Sequence, residues 1–125
     1  MASLTTRQLV EEIAVSCEHS EWVEAYTVLY MDVAILKVRV FLLGGYFIEV
    51  FYNLDTDKTS FALIQDKSRV YGKDNAKMGW HVHPEDDPER HISCEPVTFS
   101  QFLSEVEQIL SRQNISPERG FADDH

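Results

Sequence analysis

Only two cysteines, four prolines and five glycines punctuate these 125 residues, and each scarcity closes off a class of protein. Cys17 and Cys94 lie far apart, form no CxxC and have no close ligand partners, so neither a disulfide framework nor a zinc finger can be built from them. The default is two reduced thiols in a cytosolic chain, with a single disulfide as the alternative. No stretch approaches the ~18 apolar residues of a membrane span, and MASLTTRQLVEE lacks a basic region followed by a hydrophobic run. The expectation is therefore a cytoplasmic protein that meets no membrane. The phosphate-binding glycine loop, the GxSxG elbow and HExxH are all missing, so NTPase, α/β-hydrolase and zincin chemistry find no support, and the motifs require no cofactor.

Basic residues are also few, 11 against 21 acidic, for a formal net charge of −10. That balance argues against a protein that coats nucleic acid. The deficit is uneven, however. Residues 1–36 carry one basic and six acidic side chains and residues 85–125 carry three and ten, whereas 37–84 carries seven and five. A slightly positive centre between acidic ends leaves room for a local anion-binding patch.

What the chain does have is a hydrophobic fraction of 44% with 11% aromatics, enough at this length to bury a core in one domain. Thr5-Thr6-Arg7-Gln8 fits a capping box, and Leu9, Val10, Ile13, Ala14 and Cys17 follow at helical spacing, which predicts a helix from about Thr6 to Cys17. From Trp22 the pattern becomes β-branched and aromatic: WVEAYTVLYM, VAILKVRVFLL, YFIEVFY and TSFALI, broken at Asp32, Gly44-Gly45 and Asn53 to Asp57. Links this short hold no crossover helix, so neighbouring strands are antiparallel. Two further strands are predicted over 69–72 and 80–83. PEDDPERHISCEP reads as a loop, and Thr98-Phe99-Ser100-Gln101 opens a second helix with an apolar stripe of Phe99, Phe102, Leu103, Val106, Ile109 and Leu110. The expected architecture is a single α+β domain over 1–125: an N-terminal helix, an antiparallel meander of about five to six strands, and a C-terminal helix packed on the sheet. Residues 113–125 are expected to form a frayed tail.

If Gly44-Gly45 is a two-residue hairpin loop, Leu42 faces Phe47 and Val40 faces Glu49. The core face then takes Leu36, Val38, Val40, Leu42, Phe47 and Phe51, with Glu49 as the odd member. The other face, over 37–52, takes Lys37, Arg39, Phe41, Ile48, Val50 and Tyr52, a mixture suited to a homodimer contact, a covering element or a ligand. A one-residue change of register exchanges the sets.

The stretch RVYGKDNAKMGWHVHPEDDPERH gathers the candidate chemistry. In an extended strand His81 and His83 point to one side, roughly 7 Å apart, and Trp80 and Val82 to the other. His91 lies beyond a loop that can bring it back. Asp74, Asp86, Asp87 and Glu89 are available to hold an imidazole's second nitrogen. Two chemistries are open. One is a three-histidine metal site of His81, His83 and His91; a cupin arrangement fails because too little chain follows, with His125 at the end. The other needs no metal: His81 and His83 form an acid–base pair with His91 auxiliary and Asp74 in support, while Arg69 or Lys73 contacts a phosphate or other anion.

A helix, a meander containing GGYFIEVFYN, then GWHVHP with a downstream histidine before a C-terminal helix resembles the TumE-like proteins. These are small prokaryotic proteins described as the toxin half of toxin–antitoxin pairs. The resemblance covers roughly residues 22–110. It implies a cytoplasmic protein restrained by an antitoxin partner, and analogy with toxins of similar shape implies an endoribonuclease with RNA as substrate. It carries over no catalytic set. The alternative expectation is a non-catalytic, homodimeric binding protein.

Overall fold

Thr5 and Gln8 close a capping box at the start of α1 (Thr6–Glu18): Thr5 Oγ1 accepts from the Gln8 amide at 3.1 Å, and the Gln8 side chain accepts from the Thr5 amide at 2.8 Å. Thr98 and Gln101 repeat the arrangement, at 3.2 and 2.9 Å, before α2 (Phe99–Arg112). Each box satisfies two amides that the first helical turn leaves without partners. The computed structural model describes residues 4–76, 79–87, 89–115 and 117. Expectations that concern 116, His125 and the rest of 118–125 lie outside the described residues.

Between the helices the chain forms β1 (Val23–Met31), β2 (Ile35–Leu42), β3 (Phe47–Asn53), β4 (Lys58–Gln65), β5 (Ser68–Asp74), β6 (His81–His83) and β7 (Ile92–Ser93). They make one antiparallel sheet in chain order. The turns are held by the polar residues that punctuate the sequence. Asp32 Oδ1 accepts from the amides of Ala34 and Ile35, and Asn53 Oδ1 from that of Asp55. Asp66 and Lys67 both take positive φ, 52° and 67°, as a two-residue hairpin turn demands.

The α+β layout is as expected, with seven strands rather than five or six. The additional strand is β7, inside the segment predicted to be a loop. It pairs Val82 with Ile92 and His81 with Ser93, and the Cys94 amide donates to the Trp80 carbonyl. Two residues are too few to carry a period, so only the pairing reveals them. β5 also runs on to Asp74, two residues beyond the predicted strand.

The β2–β3 hairpin corrects the expected register. Leu43, Gly44 and Gly45 form a tight helical turn with Gly44 and Gly45 at φ of 79° and 80°, and the ladder pairs Phe41 with Phe47, Val40 with Ile48 and Arg39 with Glu49. One extra loop residue moves β3 by one position, so Ile48, Val50 and Tyr52 are buried beside Leu36, Val38, Val40 and Leu42. Phe47 and Phe51 move to the other face. Glu49 then stands opposite Arg39, with 2.5 Å between carboxylate and guanidinium, and is no longer an odd charge in the core.

Both helices contribute to one core with the sheet: Leu9, Ile13 and Cys17 from α1, and all six residues of the predicted stripe from α2. Phe61 on β4 is its aromatic hub, with ring centroids 5.3 Å from Phe102, 5.8 Å from Tyr52, 6.1 Å from Phe99 and 6.4 Å from Trp80. Ile115, in the predicted tail, packs against this core. The opposite face of the sheet carries Lys37, Arg39, Phe41, Phe47, Glu49 and Phe51, and farther along it Gly72, Asp74, His81 and His83.

Candidate functional site

Strand alternation decides what β5 and β6 show to each side. Tyr71, Lys73, Trp80 and Val82 face the helices. Gly72, Asp74, His81 and His83 face away, with Asp74 directly opposite His81 and Gly72 opposite His83. The β6–β7 hairpin then returns the chain so that His91, just before β7, meets both imidazoles. Ring centroids are 4.9 Å apart for His81–His83 and His81–His91, and 4.5 Å for His83–His91. These rings, with Arg69, Asp74, Ala76 and Ser93, line a half-open pocket of about 460 Å³.

Asp74 is its anchor. Oδ2 lies 3.0 Å from His83 Nε2, and Oδ1 lies 3.2 Å from His81 Nε2 while accepting from the Ala76 amide at 3.0 Å. A carboxylate only accepts, so His83 Nε2 carries its proton and Nδ1 is left with a lone pair. That Nδ1 is buried with no hydrogen-bond partner among the described residues. His81 is bound differently. Its Nδ1 lies 3.0 Å from the Gly79 carbonyl, also an acceptor only, and its Nε2 faces the Asp74 carboxylate. A neutral ring has one N–H to share between these two acceptors. The two imidazoles therefore differ: His83 has one nitrogen held and one without a partner among the described residues, whereas both nitrogens of His81 face acceptors. His83 is 3% exposed, whereas His91 lies on the solvent side.

Of the predicted site residues, the fold brings together Asp74, His81, His83, His91 and Arg69. Lys73 is excluded. Next to Asp74 in an extended strand it points to the opposite face, where Nζ donates to Glu105 at 2.8 Å. Glu105 also accepts from the Tyr71 hydroxyl at 2.7 Å. Asp86, Asp87 and Glu89 are exposed, and among the described residues Asp74 is the carboxylate paired with His81 and His83. Cys94 is unsuited to nucleophilic work: burial pushes its thiol up, so the thiolate is scarce. Both cysteines are free.

Sequence reasoning missed Ser93, Ala76 and Gly72. Gly72 had a usable signal, because a glycine inside a strand often marks a close approach. A Cβ there would sit 3.2 Å from Arg69 Cδ and 3.0 Å from the Phe61 carbonyl oxygen, so Gly72 makes the room in which the Arg69 side chain crosses toward the pocket.

Fold and site together define a small α+β protein whose helices cover one face of an antiparallel sheet and whose other face carries a carboxylate-anchored histidine pocket. No family model, curated protein or solved structure matches the chain, so the TumE-like resemblance rests on the residues quoted above. Among the described residues no helix is long and apolar enough to cross a membrane.

Proposed function

We propose that this chain is a TumE-like toxin of a toxin–antitoxin pair, acting as a metal-independent endoribonuclease through the histidine pocket. The observation that carries the reading is the Asp74 carboxylate gripping two imidazoles with unequal hydrogen-bonding duties. His83 Nδ1 takes the proton of a ribose 2′-hydroxyl as that oxygen attacks phosphorus. His81, acting in its protonated form, gives a proton to the departing 5′-oxygen as the P–O bond breaks, leaving a 2′,3′-cyclic phosphate. Arg69 neutralises the charge that builds on the non-bridging oxygens. His91 is auxiliary and lies over His83 until RNA displaces it. Lys37 stands on the same sheet face, where Arg39 is already paired with Glu49, so with a net charge of −10 any cationic track is local.

The test is RNA cleavage by purified protein in EDTA, with cyclic-phosphate ends and no cleavage of DNA. His81→Ala should abolish it, and activity retained in that variant would sink the assignment.

A second reading, a non-catalytic homodimeric interaction protein, draws on one observation. Edge strand β1 and the turn after it expose Tyr26, Val28, Leu29, Tyr30, Met31 and Val33, a row on which another copy or an antitoxin could extend the sheet. Under this reading light scattering finds a dimer and no nuclease activity is measured. A monomer at high concentration counts against it.

A further inference from the structure

We propose that His81, His83 and His91 form a binding site for a divalent transition-metal ion of the zinc class, and that metal occupancy silences the acid–base chemistry of the same pocket. The silencing rests on the function proposed above; the binding does not.

Three observations converge on a cation. One nitrogen from each of the three rings can be chosen so that all lie within 4.8 Å of one another. Ligation at the ~2.0–2.1 Å typical of zinc and imidazole places neighbouring nitrogens about 3.4 Å apart, so the nitrogens need close by at most about 1.4 Å. His91, exposed and carried by the hairpin loop, has the freedom to supply that movement. Next, both nitrogens of His81 face acceptors, Nδ1 the Gly79 carbonyl at 3.0 Å and Nε2 Asp74 Oδ1 at 3.2 Å. A neutral imidazole has one N–H for these two, so with Nδ1 donating to Gly79 the Nε2 lone pair is open to a cation that Asp74 also attracts. Finally, His83 presents a buried Nδ1 without a hydrogen-bond partner among the described residues, while its Nε2 is held by Asp74. A carboxylate behind an imidazole fixes the tautomer and raises the basicity of the nitrogen that ligates.

The donor set selects the ion. Imidazole nitrogens backed by a single carboxylate suit zinc, copper, nickel or cobalt, whereas magnesium and calcium require mostly oxygen ligands. His81 and His83 sit on a paired strand and Asp74 on its neighbour, so two ligands and their support are fixed before the metal arrives. The same lone pair on His83 cannot both hold a metal and accept a proton. One bound ion therefore removes the base and blocks the acid together.

Protein purified without a histidine tag and stripped with chelator is titrated with zinc chloride by calorimetry, and with cobalt chloride by visible absorption. One ion should bind per chain, with the cobalt form showing d–d bands of low coordination number. His91→Ala, an exposed substitution that leaves the core untouched, should weaken zinc binding at least tenfold; His19→Ala, on an exposed histidine outside the cluster, should not change it. No binding, or binding equal in His91→Ala and the parent, overturns the site. RNA cleavage is then measured in EDTA and at one equivalent of zinc. Cleavage in EDTA that zinc stops, with the concentration dependence seen by calorimetry, supports the silencing; cleavage unaffected by bound zinc overturns it. If the chain cleaves no RNA in EDTA, the proposed ribonuclease fails while the calorimetric result stands by itself.

Discussion

Replacing Asp74 by Asn tests the pocket through a readout independent of any substrate. The carboxylate accepts from His83 Nε2 and from the Ala76 amide, and its Oδ1 lies 3.2 Å from His81 Nε2. An amide keeps one acceptor and puts two N–H donors where the other was, so either the His83 N–H or the Ala76 amide meets a donor. His83 suffers most, because it is 3% exposed and water cannot take over. Losing a hydrogen bond to a charged group costs roughly 1.5–3 kcal/mol, and a buried unsatisfied donor about 1–3 kcal/mol. His81 is less dependent on the bond, with 13% of its side chain exposed. A net loss of about 2 kcal/mol follows, and for a domain of this size that lowers Tm by roughly 6–10 °C. Asp86→Asn, an exposed control, should stay within about 0.5 kcal/mol. Thermal unfolding by circular dichroism gives the difference, and long-range ¹H–¹⁵N correlation spectra of the imidazoles report the tautomers. The parent His83 should be the Nε2–H form and should change in Asp74→Asn. A Tm within 2 °C of the parent, or an Nδ1–H His83 in the parent, would refute the hydrogen-bond assignment on which both the acid–base and the metal proposals depend.

Two further predictions concern the scaffold. Gly44 and Gly45 share a left-handed backbone, but a Cβ on Gly44 would lie 2.6 Å from Ile115 Cδ1 whereas one on Gly45 meets nothing within 4 Å. Each alanine substitution should cost about 1–2 kcal/mol of backbone strain in urea unfolding, with Gly44→Ala the worse. The excess should vanish in an Ile115→Ala background, and equal costs in the parent would contradict the contact. Burial pushes the Cys17 thiol up to about 11 from 9.0, and burial first, then the bond to Glu105, raises the Tyr71 phenol well above its usual range. The folded state thus holds protons that the unfolded chain releases, so stability is intact below about pH 9 and falls as pH rises through 11, by on the order of 2 kcal/mol from Cys17. Urea midpoints measured at pH 7, 9 and 10.5 should decline in that order; a midpoint that rises with pH contradicts the burial of these groups.

The helices were legible because each carries two agreeing signals, a capping box and an apolar stripe, and every residue of the α2 stripe is buried. The strands were legible from their composition, but register was not. Loop length at 43–45 depends on how two glycines and a leucine share a turn, and one residue sufficed to move Phe47 and Phe51 out of the core. Arg39 and Glu49 held a usable hint, since a carboxylate in the middle of an apolar face is costly and the corrected register gives it a cation. In the site, the orientation of His81 and His83 followed from parity alone. The choice of Asp74 over Asp86, Asp87 and Glu89 did not, because it required knowing that β5 continues two residues past its apolar stretch to place Asp74 opposite His81. The same extension, with the parity used for the histidines, turns Lys73 to the opposite face.

The pocket is built on the least extensive part of the sheet, three residues of β6 and two of β7, so its precision has to come from elsewhere. It comes from the opposite face. Trp80 packs against the core, with the indole 6.4 Å from Phe61, and Val82 faces the same side of the sheet. A slip of β6 by one residue would turn these two groups to the open face and drive His81 and His83 against the aromatic hub. At roughly 1.5–3 kcal/mol for burying a large apolar side chain, losing the Trp80 anchor alone disfavours the slip by about 2 kcal/mol before any cost of burying the imidazoles is counted. The register that seats Trp80 is therefore the register that sets His81 across from Asp74. Shortening Trp80 should loosen the imidazole cluster even though the indole touches none of the three rings, because the two-residue period of one strand couples the core on one side to the chemistry on the other.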